Sequence, residues 1–182
     1  MLHITIPERE FYDESTEEFV TLKEQKVTME HSLISISKWE AKWKKPYLTD
    51  RKKTQEEILD YLRCMTVYPS GLDPMYYLAL TPENISEITD YIEDPMTATT
   101  INILKSPGAK KETLTSELIY YYMIAQNIPI ELEKWHINRL ITLIEVCAIK
   151  NDPKPKKMSR SAIMQQNKAL NAARRAKYKT RG

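Results

Sequence analysis

The chain has 182 residues, with 27 Lys plus Arg against 25 Asp plus Glu, for a formal net charge of +2. That balance conceals a separation. Residues 150–182 hold eleven basic residues and one acid, a local +10, which leaves −8 on residues 1–149. With 42% hydrophobic residues the body can bury a core, which excludes a wholly disordered chain. Three glycines are too few for the phosphate-cradling loops of nucleotide folds.

No apolar run reaches the roughly 18–20 residues of a membrane span. Residues 1–9 lack the cationic start, apolar core and cleavage site of a secretory leader, so a cytoplasmic compartment is expected. In that compartment Cys64 and Cys147, each inside an apolar helical pattern, read as reduced thiols.

In chain order, Leu2, Ile4 and Ile6 alternate with His3 and Thr5, and Pro7 ends the run. Phe11-Tyr12 and Phe19-Val20 flank the polar stretch Asp13-Glu14-Ser15-Thr16, and Val27 and Met29 alternate with Lys26 and Thr28. These patterns predict a small antiparallel sheet. From Ser32 the period becomes helical, through Leu33, Ile36, Trp39 and Trp43 to Pro46, with the start at Ser32 or at a Ser37–Glu40 capping box. Thr54 with Glu57 forms a second capping box, followed by a stripe of Ile58, Leu59, Leu62, Met65 and Thr66. Asp73-Pro74 and Thr81-Pro82 each place a capping residue before a proline at the first helical position. The second opens a helix carrying Ile85, Ile88 and Ile92.

Residues 97–103 are β-rich in composition and read as extended, and residues 105–111 as a loop. A helix starts at Thr113 or Thr115 and runs to Pro129, and a longer one is expected over residues 130–149. The linker around Pro153 and Pro155 leads to a helix capped by Ser159. Its apolar stripe of Ile163 and Leu170 is thin for a helix that must be ordered against an entropy cost of about 1–2 kcal/mol per residue.

Catalytic and metal chemistry find no constellation. His136 lies near Glu133 and Trp135 but lacks a second His or Cys at ligand spacing. No Gly-x-Ser-x-Gly elbow exists, neither cysteine has a nearby histidine, and Glu56-Glu57 suits a helix N-terminus. The reading is therefore no enzyme, no cofactor and no metal. Interaction surfaces are better represented. Tyr120-Tyr121-Tyr122 covers most of a helix circumference, so at least one ring must face outward. Trp39 and Trp43 stand among Lys38, Lys42, Lys44 and Lys45, where cation–π contact is an adequate structural account. The basic tail suits an acidic protein surface, including that of a neighbouring copy, or nucleic acid. Its single aromatic, Tyr178, offers little stacking for single strands, which favours protein.

Four segments also resemble a family of tailed-bacteriophage proteins. They are His31-Ser32-Leu33-Ile34-Ser35-Ile36-Ser37-Lys38-Trp39-Glu40, Asp94-Pro95-Met96-Thr97-Ala98-Thr99, Lys134-Trp135-His136-Ile137-Asn138-Arg139-Leu140 and Asn171-Ala172-Ala173-Arg174-Arg175-Ala176. The chain resembles siphophage tail assembly chaperones. The resemblance implies a non-enzymatic factor of the host cytoplasm that binds the tape measure protein and helps recruit the tail tube protein. A structural protein of the virion neck, connector or tail presents the same segments and is the alternative; a nucleic-acid-binding module is the second.

Together these readings predict a mainly α (α+β) chain in three parts: an N-terminal β-element (1–31), a helical body (32–150), and a basic linker with a C-terminal helix (151–182). Partner-binding residues are expected at Trp39, Trp43, Tyr120, Tyr121, Tyr122, Ile163, Leu170, Arg174, Arg175 and Lys177.

Overall fold

Alternating side chains set the N-terminal strands. In β1 (Leu2–Ile6) Ile4 and Ile6 turn inward, and in β4 (Gln25–Met29) Val27 and Met29 do the same. The two pair antiparallel with Ile4 opposite Val27, so one face carries the apolar set. The computed structural model describes residues 1–13, 17–101, 113–151 and 160–178. A short strand, β5 (Thr66–Tyr68), adds to the other edge of β4, giving the order β1-β4-β5. Thr66, which continues the apolar stripe of the preceding helix in the sequence, is thus the first residue of a strand. The Phe11 and Phe19 region forms a separate antiparallel hairpin of β2 (Arg9–Asp13) and β3 (Glu18–Leu22). The N-terminal β-structure is thus two sheets, with Pro7, which has no amide to donate, between β1 and β2.

The helix starts follow their caps. Ser32, and not Ser37, opens α1 (Leu33–Trp43), its hydroxyl accepting from the Ser35 amide at 3.4 Å. The helix ends at Lys44 in the left-handed region (φ 54°), before Pro46. Thr54 and Glu57 complete the capping box of α2 (Gln55–Met65). Asp73 accepts from the Met75 amide at the start of the short α3 (Met75–Leu78). Thr81 caps α4 (Pro82–Glu93) with Pro82 in its first turn, and Thr115 caps α5 (Ser116–Ala125).

The helix expected over residues 130–149 is broken. A 3-10 turn, Ile130–Lys134, is followed by α6 (Ile137–Asn151). The break occurs because the chain pairs sideways there: Ser32 bridges His136, and the Ile137 amide donates to the His31 carbonyl at 2.8 Å. Residues 97–101 form no strand; residues 102–103 and the Ser159 cap lie outside the described residues. The C-terminal helix, α7, spans Arg160–Tyr178.

Helix α1 is the hub. It packs on α2, α5 and the 3-10 turn, burying Leu33, Ile36 and Trp39 with Ile119, Met123, Ile137 and Leu140. Each such side chain contributes about 1.5–3 kcal/mol by leaving water. Helix α4 packs on β1, and the Asn84 side-chain amide donates to the Thr5 carbonyl at 3.3 Å. The architecture is mainly helical, with two small antiparallel sheets built mostly from the N-terminal strands. Residues Met1–Ala148 form one compact unit that includes both the strands and the helical body; Ile149–Gly182 form a second.

Candidate functional site

Trp39 lies in the core and not on a partner surface. It is fully buried, its Nε1–H donates to the Glu57 carbonyl at 2.8 Å, and its ring stacks on Trp43. The i, i+4 spacing that looked like a display of aromatics faces α2 instead. Trp43 is half-buried; its Nε1–H donates to Asp60 at 2.9 Å, and Lys42 and Lys45 sit over its ring at 5.5 and 5.6 Å. The same lysines reach carboxylates. Lys42 pairs with Asp60, and Lys45 with Glu57 at 2.9 Å, where Arg51 also binds at 3.0 Å. The Arg51 guanidinium, then Lys45 and the Thr54 amide, hold the buried Glu57 carboxyl down to about 2. The Trp–Lys pattern therefore clamps α1 to α2.

The tyrosine run divides as helical geometry requires. Tyr120 is half-buried and donates to Glu133 at 2.8 Å; burial and that carboxylate push its phenol up to about 12. Tyr121 is exposed, and Tyr122 is half-buried with its ring 5.6 Å from that of Tyr121. Ile124, one turn on from Tyr121, is more exposed still, so α5 presents an apolar outer face while Ile119 and Met123 face the core. On α7, Ile163 and Leu170 share a face and remain exposed, as are Arg174 and Arg175. Lys177 lies in its last turn.

Residues around His31, Asp94 and His136 meet in one place. His31 and Ser32 pair with Ile137 and His136. The His136 Nε2–H donates to the Tyr91 carbonyl at 2.9 Å. The Asn138 side chain donates to the carbonyls of Ile92 and Asp94 at 3.0 and 2.8 Å. His31 shares a hydrogen bond with Tyr61, whose ring stacks on Tyr47. Burial, reinforced by His136, pushes His31 down to about 3, and burial lowers His136 as well. Both imidazoles are neutral, their rings 5.0 Å apart, and the His136 Nδ1 is buried without a partner among the described residues. Both histidines are buried from solvent, which suits a structural role.

Sequence reasoning missed an apolar groove between α2 and α4, about 340 Å³ in volume and lined by Ile58, Leu62, Leu78, Ile85, Ile88 and Ile92. Its signal was present as two helical stripes, but stripe width alone does not tell which edge the fold covers. Among the described residues no cluster of three or more His, Cys, Asp or Glu is placed to hold a metal ion, and no helix is long and apolar enough to cross a membrane. Cys64 and Cys147 are unpaired. Comparison with protein-family models, curated proteins and solved structures finds no match.

Proposed function

We propose that the chain is a tail assembly chaperone of a tailed bacteriophage, a non-enzymatic factor that binds the tape measure protein and the tail tube protein. The observation that carries this reading is the convergence of residues 31–40, 94–99 and 134–140 on the His31–His136 junction. These are segments through which the chain resembles such chaperones, and a common scaffold would need the joint they hold. The exposed face of Tyr121 and Ile124 and the basic α7 give that scaffold surfaces for a long helical client.

The test is capture of the co-expressed tape measure and tube proteins by the full chain and by a chain lacking residues 153–182. The full chain is expected to capture both, and the truncated chain to stay folded and lose them. Undiminished capture after truncation removes the arm from the mechanism, and failure of the full chain removes the chaperone reading. The exposed Arg174 and Arg175 also favour a second reading, nucleic-acid binding. That requires log affinity for DNA or RNA to fall steeply with log salt.

A further inference from the structure

Between α1 and α2 lies a second cleft, about 380 Å³ in volume, and its lining is charged. Lys38 and Lys42 line it from α1, four residues apart and so on one face of the helix. Asp60, Arg63 and Cys64 line it from α2. Three cations therefore face one acid. The Asp60 carboxylate is nearly buried; one oxygen pairs with Lys42, and the other accepts from the Trp43 indole at 2.9 Å. Arg63 stands 4.0 Å from the oxygen that Lys42 already holds. Lys38 has no carboxylate within ion-pair distance among the described residues. The cleft thus keeps a net +2, centred on Lys38 and Arg63, in a body that carries −8 over residues 1–149.

Cys64 reports that the cations converge. Burial and Asp60 push its thiol up, while Lys38, Lys42 and Arg63 all act against that shift. The hydroxyls of the wall are committed elsewhere: Tyr77 donates to Thr66 at 2.9 Å, and Thr66 to the Leu62 carbonyl at 2.9 Å. The donors left for a ligand are ammonium and guanidinium groups, which select oxyanions and suit phosphate in particular. A phosphate monoester is a dianion above its second pKa of about 6, so one head neutralises both uncompensated charges. Leu72 and the Tyr77 ring offer apolar wall for an organic body. The volume falls within the range of small-molecule sites, about 300–1,000 Å³.

We propose that the cleft between α1 and α2 binds a small organic phosphate monoester, its head between Lys38 and Arg63 and its organic body against Leu72 and Tyr77. This site does not depend on which client the chain serves.

Calorimetric titration of phenyl phosphate into the full chain tests it, at about pH 8, where the phosphate is doubly ionised. Saturable binding of one molecule per chain is expected. Lys38→Gln with Arg63→Gln is expected to weaken it at least about tenfold, and added salt to weaken the wild type. Arg174→Gln with Arg175→Gln is expected to leave the affinity unchanged, because the basic α7 is no part of the cleft lining. Alkylation by iodoacetamide locates the ligand: phenyl phosphate should slow the reaction of Cys64 and spare that of Cys147 on α6. Lys38 and Arg63 are exposed, so thermal melts of their double variant should match the wild type. If that variant melts early, the salt dependence and the Cys64 protection of the wild type decide in its place. Absence of binding, equal affinity for benzoate or benzyl alcohol, or a loss of affinity in the α7 variant and not in the cleft variant overturns the proposal. Binding of an oligonucleotide without binding of phenyl phosphate would assign these cations to a nucleic-acid surface and overturns it as well.

Discussion

Glu40 reads from the sequence as a capping partner for Ser37, and the fold uses it differently. Its carboxylate is buried and accepts three bonds from two other parts of the chain: the Tyr47 amide at 2.7 Å, and the Ser116 amide and hydroxyl at 2.8 and 2.6 Å. One side chain on α1 thereby fixes the loop after α1 and the first turn of α5. The partners lie 7 and 76 residues away, and no local spacing rule reaches the second. A hydrogen bond to a charged acceptor contributes about 1.5–3 kcal/mol, more than a neutral one. Ser116→Ala removes the hydroxyl while leaving the amide bond. It should therefore lower unfolding free energy by about 1.5–3 kcal/mol in urea denaturation at neutral pH. A loss below about 0.5 kcal/mol would mean that the hydroxyl bond is not formed in solution. Trp39 teaches the same lesson in reverse. Its neighbouring lysines suggested display, but its indole found a carbonyl on α2 and the ring went inside.

Among the elements, those with a local signal were legible. Ser32, Thr54, Thr81 and Thr115 each accept from an amide three residues on; the cap patterns single out Thr54 and Thr81 and leave Ser32 beside Ser37 and Thr115 beside Thr113. What was not legible depends on distant pairing. β5 exists because α2 delivers Thr66–Tyr68 to the free edge of β4, and the break before α6 exists because His136 and Ile137 bond to His31 and Ser32. The split of the N-terminal strands into two sheets has a dynamic consequence. Sheet β1-β4-β5 backs onto the core through Ile4, Ile6, Val27 and Met29. The β2–β3 hairpin contributes mainly Leu22 and part of Phe11, while Tyr12 and Phe19 pair on its exposed side at 5.2 Å. A two-stranded hairpin has little stability of its own. Amide hydrogen exchange at neutral pH should show the amides of β2 and β3 exchanging through local opening, well before those of β1 and β4. Equal protection in the two sheets would show that the hairpin opens only with the whole body. For the partner surfaces, sequence identified Tyr121 and the α7 stripe as positions, yet it could not separate the outward tyrosine from its two neighbours. It also placed Ile58 and Ile85 in apolar rows without showing that the fold leaves both half-exposed.

At the scale of the whole molecule, the acidic body contains two kinds of buried charge control that act in different pH ranges. The carboxyl of Glu57 is held down to about 2, so its contribution to stability is present above the ordinary carboxylate range near 4.5 and fades as pH falls toward 2. The histidine junction acts earlier. His31 faces the Tyr61 hydroxyl, the Tyr47 ring and His136. His136 faces the Tyr91 carbonyl, with the carboxylate of Asp94 and the N-terminal amine as its charged neighbours. Burial dominates for both and keeps them neutral in the folded state. In the unfolded chain they take up protons below about pH 6.5, while folded His31 does not until about 3. The unfolded state then binds more protons, so stability must fall as pH falls through this window. One such histidine contributes up to about 1.4 kcal/mol per pH unit. Unfolding free energies measured between pH 6.5 and 4.5 should therefore slope downward toward acid. His31→Gln should remove up to about one proton's worth of that slope, whatever it does to stability at pH 7, and leave the share due to His136. An unchanged slope in His31→Gln would mean that the imidazole is solvated or charged in the native protein, and that the joint between α1, α4 and α6 is open to water.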